Sequence, residues 1–280
     1  MIEVLRTVSA LQSWRDAHRG GVAFVPTMGY LHDGHLALLH EGRRRVPRGS
    51  GASVLSIFVN PTQFGPNEDF DRYPRDEAGD LAKAEEAGVD VAFCPSDARE
   101  LYPSRNTWVS VDALDRHLCG RSRPGHFRGV CTVVCKLLSL VKPTVSIFGE
   151  KDFQQLAIVR RMHADLFLPG EIVGMPIVRE ADGLARSSRN ANLDPQSRKD
   201  ALAIPRFFAE VRRRFEKGER TTMRLIDGAA TALAPGKIDY VELVDAADLQ
   251  PVDEVRAPTL AAAAVFFGGV RLIDNTVLVP

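Results

Sequence analysis

The stretch Pro26-Thr27-Met28-Gly29-Tyr30-Leu31-His32-Asp33-Gly34-His35 lies between an apolar run, Val22-Ala23-Phe24-Val25, and the helically spaced Leu36-Ala37-Leu38-Leu39. An apolar run, then Pro/Gly punctuation, then helical spacing predicts strand, tight loop and helix. The two histidines, with Gly34 between them, therefore fall where a strand's carboxyl end meets a helix N-terminus. Backbone N–H groups and the positive dipole end gather there, and phosphate is drawn to such a place. Imidazoles added at that point can donate hydrogen bonds to charge building on a phosphoryl oxygen.

Other uses of two histidines stay open on this stretch alone. Paired imidazoles also serve as solvated or core residues. Metal ligation asks for a third ligand and usually i, i+4 spacing, and no HExxH pattern occurs. Gly34 beside His35, at a strand-to-helix junction, favours phosphate.

With 36 basic and 36 acidic side chains, the 280-residue chain has formal net charge zero. That is no footprint of a nucleic-acid binder, and Arg43–Arg45 and Arg212–Arg214 are short enough to be solvated helix faces. No stretch approaches the roughly 20 apolar residues of a membrane helix. Met1–Arg6 carries no signal-peptide pattern, and Cys94, Cys119, Cys131 and Cys135 form no CxxC pair. Free thiols in a reduced, cytoplasmic compartment are expected.

Strand-like runs alternate with helical patterns: Val54–Val59, a helix over Asp80–Ala87, Val89–Phe93, a helix over Val130–Val141, Val145–Phe148, a helix from Asp152, and Ile172–Val178. Such alternation predicts a parallel sheet covered on both faces, with ligands outside the strands' carboxyl ends. Four exits carry polar or glycine-rich sequence: Met28–His35, Asn60–Gly65, Gly149–Asp152 and Arg179–Asn190. They are expected to converge on one rim. Beyond residue 178, helices over Asp200–Lys217 and Thr222–Ala232 precede strands over Ile238–Val244, Ala262–Phe267 and Val270–Val279, which predicts a smaller α+β domain.

Together Pro26–His35, Ser56–Pro61 with Gln63-Phe64, Tyr73-Pro74-Arg75, His126–Val130, Gly149–Asp152 with Gln155, and Ser187–Asn190 resemble the pantothenate synthetase family of the HxGH nucleotidyltransferase superfamily. The resemblance covers essentially the whole chain. It implies an α/β fold: a Rossmann-like doubly wound sheet over residues 1–177 that binds nucleotide and pantoate, then a smaller α+β domain over 178–280 closing over ATP. The implied reaction joins pantoate to β-alanine through pantoyl adenylate, with ATP and Mg²⁺, in a homodimer that engages neither nucleic acid nor membrane.

The resemblance also implies roles. His32 and His35 face the phosphates, Lys151 supplies a point charge, and Ser187, Ser188 and Arg189 clasp the triphosphate with Arg186 nearby. ATP is further met by Met28, Gly29, Tyr30, Leu31, Asp33 and Gly34, and by Gly149, Glu150, Asp152 and Val178. Gln63 and Gln155 bind pantoate, Met28 and Phe64 wall its methyl groups, and Asn60, Arg123 and His126 line that site. Two departures stand out. The family's acidic pair is Gly79-Asp80 here, leaving Asp80 as the expected Mg²⁺ partner. Arg186 replaces a methionine and is expected to strengthen ATP binding. Phe64–Arg75 has the length and polarity of a flap that shields the acyl adenylate from water, and equally of an ordinary surface loop. An adenylyltransferase that keeps AMP on its product shares HxGH; a phosphate-bearing acceptor would call for more Arg or Lys than Gln63 and Gln155 offer. A non-catalytic nucleotide-binding module is the other alternative.

Overall fold

The computed structural model describes residues 1–66 and 68–280; Asn67, inside the expected flap, lies outside the described residues. The chain runs β1 (Glu3–Leu5), α1 (Val8–Ala17), β2 (Gly21–Thr27), α2 (Asp33–Arg45), β3 (Gly51–Ile57), α3 (Glu77–Glu86), β4 (Val91–Phe93), α4 (Leu118–Ser122) and α5 (His126–Val141). It continues through β5 (Val145–Gly149), α6 (Phe153–Asp165), β6 (Glu171–Met175), α7 (Pro195–Asp200), α8 (Ala203–Glu216), α9 (Thr222–Leu225) and α10 (Ala229–Ala232). Three strands close it: β7 (Lys237–Asp245), β8 (Thr259–Phe267) and β9 (Val270–Leu278).

Contacts divide the chain into two units. The first comprises Met1–Val111, Gly125–Glu150 and Ile158–Pro176; the second takes Asp112–Pro124, Lys151–Ala157 and Ile177–Pro280. A single boundary after residue 177 therefore misplaces two segments. Hydrogen bonds account for their grouping. Gln154 Nε2 donates to the Leu114 and His117 carbonyls at 2.9 Å each. Arg121 pairs with Glu242, and Cys119 Sγ lies 3.2 Å from the Tyr240 hydroxyl.

In the first unit six strands lie in the order β1-β4-β3-β2-β5-β6, every pair parallel. β2 pairs with β3 from Gly21↔Gly51 to Thr27↔Ile57, and with β5 at Ala23↔Val145 and Phe24↔Ser146. Successive residues Val22, Ala23, Phe24 and Val25 are all fully buried. Side chains alternate faces along a strand, so burial of consecutive residues means a sheet covered on both sides. Ala23, Val25, Leu55, Val145 and Ile147 share one cluster with Leu39 of α2 and Ala84 of α3. The chain lays β3 and β4 to one side of β2, then β5 and β6 to the other. Strand order thus reverses between β2 and β5, the switch point at which such sheets take ligands.

In the second unit β7, β8 and β9 form an antiparallel sheet. Ala261, Ala263 and Val265 of β8 cluster with Ile204, Phe207, Phe208 and Val211 of α8. Small side chains on the strand let large ones on the helix fill the layer.

Three expectations need correction. The sixth parallel strand stops at Met175, three residues short, because Pro176 has no N–H to continue the ladder. Arg179 and Ala185 instead form an antiparallel bridge of a small hairpin. Thr222–Ala232 is two short helices parted by Gly228, whose φ of 77° takes the chain out of helical geometry. Asp200–Lys217 likewise divides, into the end of α7 and the separate α8.

Candidate active site

At the exit of β2, the backbone amides of Gly29, Tyr30, Leu31 and His32, and that of Gly34, are all taken by side chains. Thr27 Oγ1 accepts Gly29 N–H at 3.1 Å and itself donates to the Ser56 carbonyl at 2.8 Å. Asp80 of α3 accepts Tyr30 N–H through Oδ2 at 2.7 Å and Leu31 N–H through Oδ1 at 2.6 Å. His35 Nδ1 accepts His32 N–H at 3.4 Å, and His32 Nδ1 accepts Gly34 N–H at 3.1 Å. His32 is the N-cap of α2, and His35 returns the bond as a capping box. An Nδ1 that accepts an amide proton assigns the ring proton to Nε2. Both imidazoles, stacked with centroids 4.1 Å apart, therefore carry Nε2–H donors. The amides expected to hold phosphate directly are thus largely taken by side chains of β2, α3 and the loop itself, which leaves the ring Nε2–H groups as donors for an anion.

Gly29 is required here. Its φ is +81°, and a Cβ would come 2.9 Å from both Asp80 Oδ2 and Ile57 Cγ2. Asp80 is 1% exposed. Burial pushes its carboxyl above the ordinary carboxylate value, against the Leu31 and Tyr30 amides and the Lys83 charge. As a metal partner Asp80 does not fit: both oxygens face loop amides beneath the surface. Among the described residues no group of three His, Cys, Asp or Glu side chains could hold a cation.

Beside this loop in the first unit lies a second cluster. Asn60 Nδ2 donates to Gln63 Oε1 at 3.1 Å and to the Gly129 carbonyl at 3.2 Å. Its Oδ1 accepts from Thr62 Oγ1 at 2.9 Å and the Tyr102 hydroxyl at 3.0 Å. Gln63 turns Nε2 to Met28 Sδ at 3.1 Å, while its carbonyl lies 2.8 Å from His126 Nδ1. Gly129 lets α5 back onto this turn, since a Cβ would collide with the Thr62 carbonyl. Four expected substrate residues, Met28, Asn60, Gln63 and His126, are thus brought together. Phe64 follows Gln63 and packs edge-on against Phe70 and Tyr73, with centroids at 5.3 and 5.9 Å. Gly149 and Glu150 leave β5, the strand beside β2.

The remaining expected residues belong to the second unit. Lys151 lies 3.4 Å from Asp152, and its carbonyl accepts from Asn275 Nδ2 at 3.0 Å. The neighbouring Asp274, 3% exposed, takes Arg179 through both oxygens at 2.7 and 3.0 Å. Adjacent residues of β9 thereby fix both the Lys151 turn and the Arg179–Ala185 hairpin. Arg186 N–H closes that hairpin on the Val178 carbonyl at 2.9 Å. Ser187 Oγ then caps the turn of Ser188–Asn192 by accepting Arg189 N–H at 3.3 Å. The Arg186 guanidinium lies 3.9 Å from Glu180. Burial pushes the Glu180 carboxyl up, but Arg198, Asn190 and the Arg186 charge outweigh it and hold it below its usual value. Arg123 closes α4, and Gln155 lies in the first turn of α6.

Asp274, Asn275, Thr27, Tyr102 and the clamping role of Asp80 go beyond the expected set. Consecutive polar residues inside the apolar run of β9 are the signal for the first two.

The family model described as pantoate-beta-alanine ligase matches residues 3–277. A pantothenate synthetase from Geobacter sulfurreducens is 53% identical over 284 residues, 99% of each chain. One from Anaeromyxobacter dehalogenans is 54% identical over 91% of this chain and 90% of its own. The crystal structure of pantothenate synthetase from Thermus thermophilus is similar with TM-score 0.93 and 45% identity, covering 100% of both chains. The pantoate-beta-alanine ligase of Francisella tularensis, complexed with beta-gamma ATP and beta-alanine, gives 0.81 and 30% identity over 99% and 98% of the two chains. A match from the first strand to the last, with the HxGH loop and the Asn60–Gln63 turn inside it, settles the matter: the chain belongs to the pantoate–β-alanine ligase family.

Proposed function

We infer that this chain joins pantoate to β-alanine at the expense of ATP, forming pantothenate, AMP and pyrophosphate. The observation that carries the reaction is the family match over residues 3–277. In the first step a pantoate carboxylate oxygen attacks the α-phosphorus of ATP and pyrophosphate leaves. In the second the β-alanine amine attacks the acyl carbon, AMP leaves, and the amine gives up a proton as the amide forms.

Both partners of the first step are anions, so catalysis is positioning and charge neutralisation. His32 and His35 donate Nε2–H to phosphoryl oxygens as charge moves toward pyrophosphate. Lys151 contributes a compact point charge. Ser187, Ser188 and Arg189 hold the triphosphate, and Asp152 with the backbone of Gly149 and Val178 meets the nucleoside. Gln63 and Gln155 take the pantoate hydroxyls and carboxylate as neutral amides, which leaves the nucleophile's charge intact. Asn60 fixes the Gln63 amide, and Met28, Phe64, Arg123 and His126 complete that side. Mg²⁺ we place with the ATP phosphates and water, the coordination this ion prefers, rather than on Asp80.

The 178–280 segment closes over ATP in this proposal, and the enzyme works as a cytoplasmic homodimer. All four cysteines are free thiols, and among the described residues no helix is long and apolar enough to cross a membrane. The test is AMP release with ATP, pantoate and β-alanine each omitted in turn. Release only with all three present is the expected result. Pyrophosphate without AMP would instead mark an adenylyltransferase, and no turnover a binding module.

A further inference from the structure

Two residues one helical turn apart on α3 grip the HxGH loop from its buried side. Asp80 accepts the Tyr30 and Leu31 amides, while Lys83 Nζ donates to the Leu31 carbonyl at 2.9 Å. Positions i and i+3 share a helix face, so one face of α3 makes all three bonds. Leu31 is 3% exposed and directly precedes His32. Tyr30 holds a φ of 54°, in the left-handed region that a non-glycine residue adopts only when its surroundings impose it. Gly29, with no Cβ to meet Asp80 Oδ2, lets the carboxylate approach.

We propose that Asp80, seconded by Lys83, is a positioning residue that sets the backbone from which the His32 and His35 rings project. It touches neither nucleotide nor metal and acts through the loop. The proposal rests on the ligase function given above. It replaces the expectation that Asp80 binds Mg²⁺, and it accounts for an aspartate at this position although Gly79 lacks the family's neighbouring acid. Asparagine cannot substitute. An amide has one accepting oxygen, and its NH₂ would face the second loop N–H donor against donor.

The experiment compares wild type, Asp80→Asn and Lys83→Met by steady-state AMP release over graded Mg²⁺. Thermal unfolding and calorimetric binding of a non-hydrolysable ATP analogue in EDTA are read alongside. Methionine keeps the Lys83 stem and removes only the carbonyl's donor. Displacement of catalytic groups by about 1 Å costs on the order of a hundredfold, so Asp80→Asn should lower kcat about 10- to 100-fold and Lys83→Met about 3- to 10-fold. Half-saturating Mg²⁺ should stay within about twofold of wild type in both, since no ligand of the ion is lost. A shift of about tenfold in that Mg²⁺ value for Asp80→Asn would overturn the proposal in favour of a metal ligand. So would a kcat within about threefold of wild type together with a lowered Tm, which would mark a strut without catalytic consequence. If Asp80→Asn fails to melt cooperatively, Lys83→Met decides by the same kinetic limits. If wild type releases no AMP, the ligase function falls. Analogue binding in EDTA then decides on Asp80: weaker binding by either variant supports the loop role, and equal binding by all three overturns it.

Discussion

Asn60 is 1% exposed and spends both ends of its amide on neighbours that shape the candidate pantoate site. Replacing it with alanine leaves the Gly129 carbonyl and Tyr102 hydroxyl without that partner and releases Gln63 Oε1 from it. Each buried hydrogen bond of this kind contributes about 0.5–1.5 kcal/mol, so losing several of them in Asn60→Ala should lower urea-unfolding stability by about 1–3 kcal/mol. Its KM for pantoate should rise about tenfold or more as Gln63 loses its fixed orientation. Arg186 behaves differently. Glu180 already takes part of its charge at 3.9 Å, and the guanidinium is about a third exposed. Exposed pairs contribute at most about 1 kcal/mol, so Arg186→Met should raise the KM for ATP less than about fivefold. That is a weaker effect than the position of Arg186 in the sequence suggests. The hairpin between Arg179 and Ala185 folds Glu180 back beside Arg186, a pairing that the order of residues does not display.

At the scale of elements, α2 joins the candidate catalytic end to an ion-paired far end. His32 and Asp33 open the helix, and Arg43–Arg45 lie in its last turn, where cations suit the dipole. Hydrogen bonds from Arg44 and Arg45 hold the Glu41 carboxyl at about 2, down from 4.5. A carboxyl lowered on folding stabilises fully above its unfolded value and loses that contribution as pH falls through its folded one. Wild-type stability should therefore decline on acidification between 4.5 and about 2, and Glu41→Gln should flatten this limb in urea titrations. The pattern of long elements was legible because it rests on burial. Val22–Val25 and Val145–Phe148 are apolar at nearly every position, as strands covered on both faces must be. Boundaries depended on single residues instead: Pro176 ends β6, and Gly228 divides α9 from α10. β1, three residues long, is too short to carry a periodic signal.

Across the whole molecule, the HxGH loop was legible as a candidate site because its glycines and histidines sit at a strand-to-helix junction that local patterning reveals. The rest of its chemistry depends on residues distant in sequence. Asp80 reaches back some fifty positions to Tyr30 and Leu31, and Asn275 reaches Lys151 across more than a hundred. Such pairings are set by strand order and helix packing, which no local spacing encodes. Hence Asp80 resembled a metal ligand in the sequence and is a loop clamp in the fold. The grouping of Asp112–Pro124 and Lys151–Ala157 with the C-terminal residues was hidden for the same reason. What unites these features is a sheet switch point carrying two imidazoles whose Nδ1 atoms are occupied, and the proposed function assigns their Nε2–H groups to phosphate. Pantoate-dependent exchange of labelled pyrophosphate into ATP, compared between wild type and His35→Ala, tests that claim most directly. Loss of one preorganised donor should slow exchange about 10²- to 10³-fold while wild type exchanges only when pantoate is present. Exchange by the variant within about threefold of wild type, or wild-type exchange without pantoate, would contradict it.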